Sequence, residues 1–191
     1  MLSEQSVLEG YIEQWHNNKF PSVLSKISDE DLKQIAPQLD LSLGFSWWNE
    51  EVPIYSCVAN QIRTDNQWKI LLQVDKEGIL EVSQDFNSKL YDAISNNDHE
   101  MIKIIINHKQ FSYPGSGSCN TRFFNPIELS PLHKLVNYSK DKFNESNLDI
   151  IKFVYNLLPE QYKDVYIADF FHALKCYNQC TYVRKGLELF V

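Results

Sequence analysis

The 191 residues include 43% hydrophobic and 23% charged side chains, a composition typical of a folded globular protein. The formal net charge of −7 opposes attraction to DNA, RNA or an anionic membrane, so nucleic-acid binding is not expected. Apolar runs are all far shorter than the roughly 20 residues that span a bilayer, and the first ten residues lack the basic segment of a secretory signal. The four dispersed cysteines predict reduced thiols and a cytoplasmic location, with delivery into a host cell without a cleaved signal left open.

Residues 1–48 are predicted to form an N-terminal helical cap. The apolar residues of 3–17 share one helix face, and a second short helix is expected from Asp29 to Ala36 after a start signal at Ser28. Trp47 and Trp48 follow. They either fill the junction between this cap and the next segment or form an exposed aromatic anchor for a partner, because tryptophan is enriched at binding hot spots.

The clearest pattern of the chain lies between Leu90 and Ile106. Leu90, Ala93 and Ile94 have the spacing of one helix face, and a second apolar stretch ends in three isoleucines. Between the two stretches, Asn97 tolerates a left-handed conformation and Asp98 is suited to be the N-cap of the second helix. The segment therefore predicts a helical hairpin.

Other segments repeat this pairing of two apolar stretches. They are residues 52–59 with 68–72, residues 130–136 with 148–154, and residues 169–175 with 183–190. Gly78 follows the first of these pairs at a position where a left-handed helix stop is expected.

These hairpins resemble the ankyrin repeat. Leu90 falls on the motif leucine and Ala93 on its small residue, and the family's Pro-Leu-His signature is intact at Pro131, Leu132 and His133. The resemblance covers about residues 50–191 and implies an all-α solenoid of about four divergent hairpins in a repeat domain, residues 49–191, behind the cap. It also implies that His133 hydrogen-bonds the backbone. A helical domain without true repeats is the alternative.

An ankyrin-like array implies a non-catalytic module that binds another protein through its loops and inner-helix face. In the irregular stretch 111–126, contact residues are expected at Tyr113, Arg122, Phe123 and Phe124, unless the phenylalanines fold back on the core. The Asn-, Ile- and Lys-rich composition is typical of an AT-rich genome, which makes a microbial effector or host-interaction protein an attractive hypothesis. The sequence predicts no oligomeric state.

The chain also contains reactive side chains that could form a metal or catalytic site. His172, Cys176 and Cys180 recur every four residues, so on a helix they share a face suited to zinc. Buried cysteine as a small hydrophobe is the commoner arrangement, and we expect no metal, cofactor or catalytic residue. Cys119 with His108 or His133 is a second conceivable reactive pair. A cysteine- or metal-dependent enzyme and a structural assembly subunit remain the alternatives.

Overall fold

The computed structural model describes residues 4–49, 52–80, 86–111, 113, 130–138, 145–177 and 179–190. Most of these residues are helical, as predicted. The chain divides into two compact units: Met1–Ser83 with His108–Gln110, and Gln84–Asn107 with Phe111–Val191. This division does not coincide with the predicted domain boundary at 48/49.

The helices of unit 1 are α1 Glu4–Gln14, α2 Phe20–Leu24, α3 Asp29–Ile35 and α4 Asp65–Val74. Both helices predicted for the cap are confirmed. The first ends in an irregular turn, Trp15–Lys19, in which Asn18 has a φ of 59°. The predicted start of α3 is also confirmed, because Oγ of Ser28 accepts the backbone N–H of Asp31 at 3.1 Å.

Trp15 is the largest fully buried side chain among the described residues of unit 1. It is fully buried, its ring centroid lies 5.7 Å from that of Phe20, and its Nε1–H donates to the carbonyl of Asp40 at 2.8 Å. Nε2 of Gln67 donates to the carbonyl of Leu24 at 2.7 Å and so connects α4 to the end of α2. The buried polar groups of Trp15 and Gln67 are therefore satisfied by backbone carbonyls.

The prediction of a helix over residues 52–59 is wrong. Strand β1, Gly44–Asn49, pairs antiparallel with strand β2, Val52–Cys57, and Trp47 lies opposite Ile54. The two segments are rich in aromatic and β-branched residues, which favour strands, and Pro53 is tolerated because a two-stranded sheet consists of edges. Residues 68–72 are helical within α4 but have no helix at 52–59 to pair with.

The helices of unit 2 are α5 Phe86–Ser95, α6 His99–Asn107, α7 Pro131–Tyr138, α8 Glu145–Leu157, α9 Glu160–Cys176 and α10 Val183–Leu189. The hairpin predicted between Leu90 and Ile106 is confirmed as α5 and α6. Asn97 has the expected left-handed φ, 56°, and Oδ1 of Asp98 accepts the N–H of Met101 at 3.0 Å. The helices predicted near 131, 148, 169 and 183 are present as α7 to α10.

The helices of unit 2 lie in two rows. Helix α7 contacts both α5 and α9, while α8 contacts both α6 and α10. The rows are connected where α5 packs on α6 and α9 packs on α10. Leu90, Ile102, Leu132, Ile151 and Phe170 are completely buried between them. The described part of the chain contains no helix with the length and hydropathy of a membrane span.

Candidate functional site

The polar site of unit 2 begins at the N-terminus of α7. Ser130 caps this helix, because its Oγ accepts the backbone N–H of His133 at 3.2 Å. On α9, Asp169, His172 and Cys176 follow at intervals of three and four residues, which places them along one helix face. Since α7 packs on α9, the two sets of side chains meet.

Asp169 is a fully buried carboxylate that accepts two hydrogen bonds and has one further close polar contact. Its Oδ2 accepts the hydroxyl of Tyr113 at 2.7 Å and the hydroxyl of Ser130 at 2.5 Å. Its Oδ1 has no aligned hydrogen bond, but lies 3.0 Å from Nδ1 of His133. The side chain of His133 is itself only 3% exposed.

These contacts assign the hydrogen positions on His133. Nδ1 lies 3.0 Å from Oγ of Ser130, whose own hydrogen is committed to Asp169, and it also faces Oδ1 of that carboxylate. Both neighbours are acceptors, so Nδ1 carries a hydrogen. In a neutral imidazole, Nε2 of His133 then presents a lone pair away from the carboxylate.

The lone-pair side of His133 faces two exposed residues of α9. Nε2 lies 2.9 Å from Nδ1 of His172, and the two ring centroids are 5.0 Å apart. Sγ of Cys176 lies 3.8 Å from Nδ1 and 3.6 Å from Nε2 of His172. One ligand-type atom from each of His133, His172 and Cys176 lies within 4.8 Å of the others.

Burial raises the pKa values of the two tyrosines next to the carboxylate, Tyr113 and Tyr166. The pKa of Tyr113 is raised well above its usual value, first because burial penalises the phenolate and then because Asp169 is negatively charged. The pKa of Tyr166 is raised for the same two reasons, in the same order. Both phenols therefore stay neutral and act as hydrogen-bond donors in the folded protein.

The structure corrects one of the predicted contact residues. Tyr113 is 4% exposed, packs its ring 5.3 Å from that of Tyr166 and donates to Asp169. It is therefore part of the core and not an exposed binding residue. The backbone of Trp47 and Trp48 lies in β1, but their side chains are outside the description.

The other predicted contact residues, Arg122, Phe123 and Phe124, lie outside the described residues, as does Cys119. Of the possible zinc ligands, His172 and Cys176 come together as their spacing predicts. Cys180 begins a short 3₁₀ turn, Cys180–Tyr182, and its side chain is not described.

The sequence interpretation missed the roles of Asp169 and His133. It assigned His133 to backbone bonding, whereas the ring contacts Ser130, Asp169 and His172. The i, i+3 spacing of Ser130 and His133 was a usable signal for a capped helix. The meeting with Asp169 depends on the packing of α7 against α9, for which the local sequence has no signal.

A second buried carboxylate, in unit 1, has a structural role. Asp75 accepts the N–H groups of Ile79 and Leu80 at 2.7 and 2.9 Å and contacts Nε2 of His108 at 3.1 Å. Nδ1 of His108 accepts the N–H of Gln110 at 3.3 Å. Because both ring nitrogens are engaged with unit 1 atoms, His108 holds residues 108–110 in place.

Comparisons of the chain with protein-family models, with curated proteins and with solved structures each found no match.

Proposed function

We propose that the chain is a non-catalytic protein-interaction module whose unit 2 is a stack of divergent ankyrin-like hairpins. The observation that carries this proposal is the packing of α5, α7 and α9 in one row and of α6, α8 and α10 in a second row. Arrays of this kind leave one helix row and its connecting loops for a macromolecular partner.

The burial of the motif positions supports the ankyrin-like interpretation. The motif leucines Leu90 and Leu132 are completely buried, and Ala93, at the small position, is 4% exposed. A small side chain at this point lets the two helices of a hairpin approach each other. These residues serve the stack itself, so specificity for a partner lies in other segments.

We place the contact surface at Arg122, Phe123 and Phe124, with Trp47 and Trp48 as a second candidate. Aromatic and arginine side chains are the residues that most often dominate the binding energy of an interface. Tyr113 does not belong to this proposed contact surface, because its side chain is buried.

Affinity capture of the tagged full chain after crosslinking in its native cells tests this proposal. We expect one stoichiometric partner, lost from the double variant Arg122→Ala with Phe123→Ala and retained by Arg63→Ala, an exposed arginine of unit 1. Circular dichroism verifies that each variant is folded. Equal recovery with both variants, or recovery of no protein at all, contradicts the proposal.

A cysteine-dependent enzyme is the second candidate. It is favoured by the chain of contacts from Cys176 through His172 and His133 to Asp169, since an adjacent histidine that is oriented by a third group activates a thiol. Here His172 is the ring next to the thiol, and it is oriented by His133, which in turn contacts the carboxylate. The rate of Cys176 alkylation by iodoacetamide separates the two functions. Alkylation much faster than that of a free cysteine, and slowed by His172→Gln, favours the enzyme; an ordinary rate favours the binding module.

A further inference from the structure

We propose that His133, His172 and Cys176 bind one zinc ion, which links α7 to α9 and keeps a fourth coordination position open to solvent. This site goes beyond the proposed interaction function. The sequence spacing pointed to His172 and Cys176 as possible zinc ligands, whereas the part of His133 comes only from the packing of α7 on α9.

The donor atoms are of the type that zinc selects. Two imidazole nitrogens and a thiolate are ligands of intermediate and soft character, which favour Zn²⁺ over Mg²⁺ or Ca²⁺. The carboxylate of Asp169 is on the opposite side of the His133 ring, next to Nδ1, and so is not one of the three donors.

Two of the three separations between the donor atoms are close to those of a tetrahedral site, and all three donor atoms lie within 4.8 Å of one another. Zinc bonds of ordinary length place two nitrogens about 3.3 Å apart, and a nitrogen and a sulfur about 3.5 Å apart. The observed separations are 2.9 Å from Nε2 of His133 to Nδ1 of His172, and 3.8 Å from that Nδ1 to Sγ of Cys176. Shifts of a few tenths of an ångström bring these two pairs to the ideal values. The third pair, Nε2 of His133 and Sγ of Cys176, lies within 4.8 Å and must approach to about 3.5 Å when the ion binds.

The surroundings of His133 prepare it as a ligand. Nδ1–H faces Ser130 and the carboxylate of Asp169, so the lone pair of Nε2 is fixed toward His172 and Cys176. A carboxylate behind a histidine is the usual outer partner of zinc-bound imidazole, where it fixes the tautomer and raises the basicity of the ligand. Without metal, the short contact between the two rings contains the hydrogen on Nδ1 of His172. When zinc binds Nδ1, the His172 ring changes tautomer and carries its hydrogen on Nε2, and the thiol of Cys176 releases its proton to solvent.

The three residues differ in their exposure, and the exposed ones leave the ion a route of entry from solvent. His133 is buried and fixes the inner side of the site, while His172 and Cys176 are exposed on the surface of α9. Three protein ligands with one solvent-facing position are the arrangement found in zinc sites that exchange a water or bind an external group.

Titration of the metal-free, tag-free full chain with zinc chloride, and in parallel with Co²⁺, tests the proposal. We expect one equivalent of zinc to bind and to raise the melting temperature. Co²⁺ is expected to give the visible spectrum of a tetrahedral ion together with a thiolate charge-transfer band. Cys176→Ser should abolish that band, and His172→Ala should weaken zinc binding at least about tenfold.

Matched variants separate this site from adventitious binding. Cys180→Ser should retain the thiolate band, and His16→Asn, at an exposed histidine of unit 1, should retain full affinity. Asp169→Asn, or Ser130→Ala if the former does not fold, should weaken zinc binding about 10- to 100-fold without changing the stoichiometry. Binding of less than a tenth of an equivalent, or affinity unchanged by both Cys176→Ser and His172→Ala, overturns the proposal.

Discussion

Asp169 is the residue on which the buried polar groups of unit 2 converge. Its carboxylate is completely buried and contacts the side chains of Tyr113, Ser130 and His133. A buried carboxylate is costly unless hydrogen-bonded donors replace the water that it loses. Removing this acceptor leaves several donors without a partner, so the energetic effect exceeds that of a single hydrogen bond.

We therefore expect Asp169→Ala to lower the free energy of unfolding by about 3 kcal/mol, whereas Asp164→Ala on the exposed side of α9 should change it by less than about 0.5 kcal/mol. Urea denaturation followed by circular dichroism measures both values. A loss below 1 kcal/mol for Asp169→Ala would show that the network contributes little to stability.

The buried tyrosines predict sensitivity to alkaline pH. The folded-state pKa values of Tyr113 and Tyr166 are raised well above the unfolded value near 10. At high pH the unfolded chain loses these protons and the folded chain retains them. The stabilisation is therefore complete below about pH 10 and is lost as the pH rises above that value.

Urea midpoints measured from pH 8 to pH 11.5 test this expectation. Stability should fall steeply above about pH 10, and the fall should be shallower in the double variant Tyr113→Phe with Tyr166→Phe. Tyr11→Phe, at a half-buried tyrosine of unit 1, is the matched control and should retain the steep fall. Identical slopes in all three proteins would refute the assignment.

At the scale of single elements, the close approach of α9 and α10 depends on Gly186. A Cβ atom added at this glycine would lie 2.6 Å from Cε1 of Phe170 and 3.3 Å from Cε1 of Phe171. The first distance is shorter than real carbon contacts allow, and the ring of Phe170 is completely buried and cannot move freely.

Gly186→Ala should therefore destabilise the protein by about 1–2 kcal/mol, although alanine is the better helix former. Gly10→Ala in α1 is a suitable control, because its Cβ would meet nothing within 4 Å and the change should stabilise by up to about 1 kcal/mol. In thermal melts, Gly186→Ala should lower the melting temperature of the protein and Gly10→Ala should raise it. A stabilising Gly186→Ala would contradict the tight packing of α10 on α9.

Elements specified by neighbouring residues were predictable from the sequence, and those specified by distant contacts were not. Asn97 and Asp98 determine the α5–α6 turn through their own backbone conformation and cap, so the local pattern was sufficient. Strand β2 was misassigned as a helix because its short apolar run fits both periods, and its pairing with β1 decides the outcome.

At the scale of the whole molecule, the candidate site also depends on contacts between residues that are distant in the sequence, and local patterns do not predict such contacts. The spacing of His172 and Cys176 indicated a shared helix face, and the structure confirms that they are neighbours. The contribution of His133 comes from 39 residues earlier in the chain and depends on the contact between α7 and α9. Burial of Tyr113 was unpredictable for the same reason, because its partner Asp169 is 56 residues away.

A zinc ion held between α7 and α9 would join two helices of the row that we propose to be the framework of an interaction module. Metal binding then contributes directly to the stability of unit 2, because the bound ion favours the folded state. We therefore expect the zinc-loaded chain to be more resistant to proteolysis than the same chain after a chelator has removed the zinc.

X-ray absorption spectroscopy at the zinc edge, on the full chain loaded with one equivalent, tests the central claim most directly. We predict a four-coordinate ion with one sulfur at about 2.3 Å and nitrogen or oxygen neighbours at about 2.0–2.1 Å, and loss of the sulfur shell in Cys176→Ser. A first shell without sulfur in the unmodified protein, or a sulfur shell that persists in Cys176→Ser, would contradict the site.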